Sequence, residues 1–186
     1  VAEVVDMPIM YSNGKPFIPG TSLKGVLRSE AERFVLLEKK YKVYFPDELP
    51  KIVKSKDDLK KIEDCPTCIL FGAPHLLSRL SVFDAYVDGP YKVSTRTVTS
   101  INRITGAQKH GSLFTIEYVE PGAKFRFHMS VRGIKYPGGD EDLEAYMGKI
   151  VSHLLDSLAA GEIQLGSKKS NGFGKVVLQD LKVEER

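Results

Sequence analysis

Acidic residues are missing from three long stretches of this chain, cysteine occurs only twice, and no apolar run approaches the length of a membrane-crossing helix. The two cysteines lie close together in "CPTC" (65–68), which does not suggest a disulfide framework of the kind that staples small secreted domains. No secretory apolar segment is present, so a cytoplasmic setting is the expectation, with no membrane partner. The four histidines (His75, His110, His128 and His153) are scattered, and no nucleophile triad can be read from them. His153 lies beside the apolar stripe of a helix and reads as structural.

The acid-free stretches are residues 7–29, 89–116 and 163–179. The first contributes Lys15, Lys24 and Arg28, the second Lys92, Arg96, Arg103 and Lys109, and the third Lys168, Lys169 and Lys175. Together these 68 residues hold ten bases and no acid, while the other 118 hold 17 bases and all 24 acids. If the three meet in the fold, they form one basic surface suited to a polyanion. The alternative is that they never meet. The chain length of 186 residues suits a single domain spanning 1–186.

Apolar residues at Leu23, Val26, Leu27, Ala31, Phe34 and Val35 predict a helix over 23–37, capped by Thr21 or Ser22, with Lys24 and Arg28 on its solvent face. Residues 38–64, charged and containing Pro46 and Pro50, read as a surface insertion. "SRLSVFDAYV" (78–87) reads as a strand. "SLFTIEYV" and "AKFRFHMSV" read as two more, joined by the turn "EPG". A second helix is expected over 142–160, closed by Gly161, and "GKVVLQDLKVEE" (174–185) as a last strand. With one strand supplied before Val1, the order is β–α–β–β–α–β, an α+β, ferredoxin-like (RRM-like) arrangement. Residues 89–111 are too long and too polar for a simple connection, and long ordered loops of this kind are usually functional.

Three motifs carry chemistry. In "IPGTSLKGVLRS", the partial positive charge of a helix start is joined by Lys24 and Arg28. Gly25 removes a side chain that would block close approach, and the Thr21 and Ser22 hydroxyls face the same end, so the motif suits an anion. The bland alternative is a capped amphipathic helix with solvated cations. In "GSKKSNGFGK" (166–175), glycines permit close backbone approach, Lys168 and Lys169 supply charge, Ser170 and Asn171 hydrogen bonds, and Phe173 a stacking face. The spacing is not that of a P-loop, and the alternative is a flexible hairpin. Cys65, Cys68 and His75 supply three of the four ligands a structural zinc ion needs; the alternative is a pair of buried thiols.

Taken in order, "PFIPGTSLKGVLRS", "CPTCILFG", "INRITGAQKHGSLFTIEYVEPGAKF" and "LGSKKSNGFGKV" resemble the motif series of the RAMP superfamily. More narrowly, they resemble the repeated backbone subunit of type III CRISPR effector complexes. The resemblance covers nearly the whole chain. It implies a ferredoxin-like RNA-binding domain with a lid inserted at 38–77 and a long β-hairpin thumb at 89–111. It implies as partners a CRISPR guide RNA, a single-stranded target RNA, further copies of the chain in a filament and the other subunits of the complex. It also implies that Asp6 in "VVDMPIM" is the aspartate needed to cut target RNA, as general base or as ligand of Mg²⁺ or another divalent ion. Ile101 and Ile104 would be the apolar wedges of the thumb. Backbone contacts would come from Thr21, Ser22, Lys24, Gly25, Arg28, Arg96, Arg103, Lys109 and the glycine loop at Lys168, Lys169, Ser170, Asn171 and Phe173. The rival reading is a structural RNA-binding subunit without activity. A guide-processing nuclease of the same superfamily usually needs a histidine in its cleft, and none sits beside either glycine-containing segment.

Overall fold

The computed structural model describes residues 5–99, 103–104, 106, 113–133 and 141–184. Its elements in chain order are β1 (Tyr11–Ser12), β2 (Lys15–Ile18), α1 (Gly20–Glu38), α2 (Leu49–Ile52), a 3-10 helix (Lys56–Ile62), α3 (Pro66–Phe71), β3 (Leu80–Val82), β4 (Ala85–Asp88), β5 (Val93–Val98), β6 (Phe114–Val119), β7 (Lys124–Arg126), β8 (Met129–Val131), α4 (Glu141–Ala159) and a short 3-10 turn (Lys169–Asn171). The fold is a mixture of helices and antiparallel sheets. Two compact units share the chain, each built from separated segments: Val1–Pro19 with Asp84–His128, and Gly20–Phe83 with Met129–Arg186.

Among the described residues, the regular elements of the first unit are all strands. Its four-stranded sheet runs β1-β2-β4-β7, and β5 pairs with β6 in a second, two-stranded sheet. Asn13 and Gly14 both adopt positive φ (49° and 73°), as a two-residue hairpin turn requires, and so set the β1–β2 register of Tyr11 with Pro16. Residues 6–11 run along β6. Asp6 and Met7 donate backbone N–H groups to the Thr115 carbonyl, and the Glu117 N–H returns a bond to the Met7 carbonyl. The Glu117 carboxylate then takes the Ile9 N–H at 3.0 Å and the Tyr11 hydroxyl at 2.8 Å. One acidic side chain on β6 thus holds the segment in place.

The second unit buries the helix stripes that the sequence predicts. Leu23, Leu27, Ala31 and Val35 of α1 and Met147, Ile150 and Leu154 of α4 are each at most 4% exposed. Each buried leucine is worth about 2 kcal/mol. At the polar edge of this packing His153 stacks on Phe34 (4.2 Å between ring centroids) and bonds Glu30 at 3.0 Å, the structural role expected of it. Helix α4 ends in a full glycine cap. Glu162 N–H reaches the Ser157 carbonyl, Gly161 N–H reaches Leu158, and Gly161 has φ 71°. Residues 44–76 carry a small core of their own, in which Leu49, Val53, Ile62, Cys65 and Cys68 are buried against Tyr44, Ile52, Leu59, Ala73 and Leu76. Charge on its surface hid that core from a composition-based reading.

Four expectations are corrected. Helix α1 begins at Gly20, three residues earlier than predicted, so Thr21 and Ser22 lie inside its first turn and are not its cap. The strand read over 78–87 is two strands, β3 and β4, and 123–131 is likewise β7 and β8. Three residues, 83–85, separate Val82 from Tyr86, whereas two, 127–128, separate their partners Arg126 and Met129. A continuous ladder would therefore be out of register by one residue, and a one-residue slip reverses every side chain. The last strand, 174–185, is reduced to one bridge between Gln164 and Lys175 among the described residues, and Asp180 at φ 54° interrupts the extended backbone. Finally, β5 occupies Val93–Val98, so part of the stretch read as a long loop is strand.

The Tyr11–Glu117 contact has a pH signature. Burial, together with the Glu117 hydrogen bond and charge, pushes the Tyr11 phenol up from 10.0 to about 12. Its neutral form is the favoured one, so the contact's contribution to stability is complete below pH 10 and is lost as pH rises through 12. Absorbance titration of tyrosinate should show one late tyrosine, and Glu117→Gln should move it back toward 10.

Candidate nucleic-acid interface

Helix α1 carries no acid in its first turn, and Pro19 before it has no oxygen on its side chain to cap it. Thr21, Ser22 and Gly25 are exposed. A methyl group built on Gly25 meets nothing within 4 Å, so nothing in the fold demands glycine at this helical position. Lys24 and Arg28, expected on the solvent face, instead turn into the unit. Lys24 Nζ donates to Ser78 Oγ at 2.8 Å. Arg28 Nε pairs with Glu32 at 2.8 Å and Nη1 donates to the Gly72 carbonyl at 3.1 Å, while the buried Nη2 has no partner among the described residues. The reason lies in side-chain length. Both cations flank the buried stripe, and their stems reach the polar backbone around 70–80 without crossing it.

The two cations differ in what neutralises them. Arg28 has a carboxylate; Lys24 has a hydroxyl. Burial lowers the Lys24 pKa and the Arg28 charge lowers it further. A half-buried ammonium compensated by a hydroxyl is a group that an incoming phosphate oxygen can complete.

In the glycine loop, Gly166, Gly172 and Gly174 all have positive φ, and Lys168 joins them at 56°. The Leu165 N–H bonds the Gly174 carbonyl at 2.8 Å. A methyl group on Gly174 would lie 1.8 Å from the Leu165 carbonyl oxygen. The neck of the loop is therefore closed tightly, and the turn beyond it presents Lys169, Ser170 and Asn171 to solvent, with Ser170 Oγ bonded to Asn171 Oδ1 at 3.1 Å. Phe173 is half-buried.

In the strand unit, Asp6 sits beside the end of the β5–β6 pair that leads into the 99–113 connection, where Thr97 and Val98 face Thr115 and Phe114. Its Oδ2 accepts the Thr115 N–H at 2.7 Å while its own N–H is bonded to the Thr115 carbonyl, so aspartate and hairpin are bracketed together. Thr115 faces Thr97 across the ladder, with their hydroxyls 3.5 Å apart. Arg96, next along β5, lies over the Tyr118 ring at 5.5 Å. Arg103 and Ile104 lie in a turn beyond β5, with Ile104 95% exposed. Ile101 and Lys109 fall outside the described residues.

The zinc ligands expected in 65–75 do not form a cluster. Cys65 and Cys68 are joined as a disulfide, both fully buried, and the Cys68 N–H bonds Cys65 Sγ at 3.2 Å. His75 is occupied by the Lys54 carbonyl at 3.1 Å. Among the described residues no group of three or more His, Cys, Asp or Glu is placed to hold a metal ion.

Sequence reasoning missed Ser78, Gly72, Thr115 and Glu117. Glu117 had a legible signal, a lone acid inside an apolar strand. The other three act through backbone or hydroxyl groups that any sequence supplies. Among the described residues no helix is long and apolar enough to cross a membrane.

Comparison with known proteins adds two findings. The sequence model of the RAMP superfamily matches residues 5–177. A curated relative, the CRISPR system Cms endoribonuclease Csm3 of Methanocaldococcus jannaschii, is 29% identical over 188 residues. That alignment covers 91% of this chain and 65% of the relative, so the chain spans a little under two thirds of that protein's length.

The two glycines should respond in opposite directions. Gly174→Ala should lower stability by about 3 kcal/mol or more, since the backbone must move or unfold locally. Gly25→Ala should raise it by about 1 kcal/mol, the helix-propensity difference. Urea denaturation of the two variants checks both.

Proposed function

Because the chain belongs to the RAMP superfamily, we propose that it is a guide-RNA-binding backbone subunit of a type III CRISPR effector complex, and that it cuts target RNA through Asp6. The name of the Methanocaldococcus relative supports both halves of this reading. Its partners are then a CRISPR guide RNA, single-stranded target RNA, further copies of the chain in a filament and the other subunits of the complex, in the cytoplasm. In this reading the domain is ferredoxin-like, 38–77 is a lid over it and the β5–β6 pair is the base of the thumb.

One observation carries the catalytic half. Asp6 is fixed to β6, next to the 99–113 connection, by one carboxylate oxygen, leaving an exposed residue whose other oxygen is free of that bond. RNA brings its own nucleophile, the 2′-OH. A hairpin that displaces a target nucleotide can set that hydroxyl in line with the next phosphate, and unstacking costs a few kcal/mol. Asp6 accepts the proton from the 2′-OH as that oxygen attacks phosphorus, and the bond to the 5′-oxygen breaks with that oxygen taking a proton from solvent water. A carboxylate is a weaker base than an imidazole, which implies slow cutting. A divalent ion suits a single protein oxygen completed by water and RNA phosphate, and when bound it would neutralise the developing charge. Lys24 and the Lys168–Asn171 turn hold the RNA backbone.

The same bond also favours a second reading. Asp6 closes a bracket with Thr115, a sufficient structural reason for an aspartate here, and the subunit would then bind RNA without cutting it.

Asp6→Asn separates the two. The amide oxygen can still accept the Thr115 N–H, so the bracket is kept while charge and basicity are lost. Guide binding should be unchanged, and cleavage of target RNA by the assembled complex with Mg²⁺ or Mn²⁺ should fall at least about 10²-fold. Cutting at the parental rate would leave the structural reading.

A further inference from the structure

The four-stranded sheet has an open face, and none of its residues is among the RNA contacts named above. Phe17 on β2 stands directly opposite Tyr86 on β4, and Tyr86 opposite Arg126 on β7. Side chains alternate along a strand, so Lys15, Asp88 and Lys124, each two residues from a member of that row, share its face. The opposite face is the covered one: Ala85 is 1% exposed and Pro16 is buried. On the open face Tyr86 is 49% exposed, and Lys15, Asp88, Lys124 and Arg126 are exposed as well. The rings of Phe17 and Tyr86 are stacked, 5.7 Å between centroids and 18° from parallel.

An exposed aromatic in the middle of a solvent-facing sheet gains nothing by burial. Here a half-buried ring supports a second one from the neighbouring strand, holding Tyr86 in a fixed orientation with its outer surface bare. Around it lie three cations. Arg126 is neutralised by Asp88 at 2.9 Å, whereas Lys15 and Lys124 form no ion pair among the described residues. The other acid nearby, Asp84, lies at the start of the strand, 3.4 Å from the Tyr86 hydroxyl. A flat, oriented π-surface flanked by unpaired ammonium groups is complementary to an unpaired nucleobase with phosphate on either side. A protein partner would use the aromatic pair but would have to desolvate Lys15 and Lys124, which the acids of this face, Asp88 on Arg126 and Asp84 beside the Tyr86 hydroxyl, do not pair with.

We infer that the Phe17–Tyr86 pair is a stacking platform for a nucleobase of single-stranded RNA, with Lys15 and Lys124 contacting the adjoining phosphates. The inference rests on the RNA-binding reading above and adds a site to it, separate from the residues of α1 and the glycine loop. Stacking is tolerant of base identity, because every base presents a π-face, so the platform holds a nucleotide without reading it.

The chain has no tryptophan, so Tyr86→Trp makes a single-tryptophan protein whose indole fluorescence reports directly on this position. Titration with a fluorescein-labelled oligouridine of about 20 nucleotides, followed by polarisation, measures binding in parallel, and an unlabelled oligouridine of the same length serves for the indole signal. The expected result is quenching of the introduced indole that saturates with binding, no quenching by inorganic polyphosphate, and affinity about tenfold weaker in Tyr86→Leu. RNA binding without quenching, and with parental affinity in Tyr86→Leu, would overturn the platform and leave the RNA-binding reading standing. Failure of the parent chain to bind RNA at all would overturn both. Self-association without RNA that Tyr86→Leu abolishes would assign the face to a second copy and overturn the inference.

Discussion

A single apolar stripe on α1 must be covered, and most of the helical unit follows from that requirement. Leu23, Leu27, Ala31 and Val35 recur at helical spacing and are all buried. Covering them brings α3, α4 and β3 against the same helix. Once the stripe is fixed, its flanks have no freedom. Lys24 and Arg28 fall at its margin and are drawn toward Ser78 and Gly72, while Gly25 and the hydroxyls of Thr21 and Ser22 stay outside. The helix therefore divides its polar residues into two kinds. One kind is held by the protein, and the other is left for whatever approaches from solvent.

The strand unit is organised differently. Its cohesion comes from backbone pairing and from two carboxylates along one edge: Asp6 toward β6, and Glu117 from β6 back toward Ile9 and Tyr11. Each carboxylate accepts hydrogen bonds from groups far away in sequence. Such bonds to ionised acceptors are roughly twice as strong as neutral ones. That arrangement ties the segment leading into β1 to β6 along its length, so a displacement of the β5–β6 pair where it meets the 99–113 connection is felt at Asp6 without passing through an apolar core.

The sequence made the two long helices legible because their apolar periods run over four or more turns, long enough to outweigh local exceptions. The caps followed the same logic at Gly161 and failed at Thr21 and Ser22, where Gly20 already adopts helical geometry. Strand breaks were illegible. Nothing in "SRLSVFDAYV" signals that Phe83 and Asp84 interrupt pairing, since the cause is a one-residue mismatch with a distant partner. The candidate site was legible in its residue types and not in its contacts. Glycine, lysine and aspartate announce themselves at 6, 24, 25 and 166–174. The inward turn of Lys24, the disulfide between Cys65 and Cys68, and the Phe17–Tyr86 pair depend on neighbours 54, 3 and 69 positions away, and only the disulfide is local.

The chain's path between its two units bears on how the protein is made. Asp6 leaves the ribosome 109 residues ahead of the Thr115 that brackets it. At about 5–20 residues per second, the interval is roughly 5–20 s. For most of that time the β1–β2 hairpin exists without β4, because the whole of α1 and the 44–76 segment is synthesised first, and β6 and β7 follow later still. The helical unit has the same problem in reverse, since α4 arrives only after the strand unit is complete. Neither unit can finish on the ribosome before the other is well under way. A newly made chain thus passes through a stage with an open strand edge on one side and a bare apolar helix on the other, and that is the stage at which chaperones have most to bind.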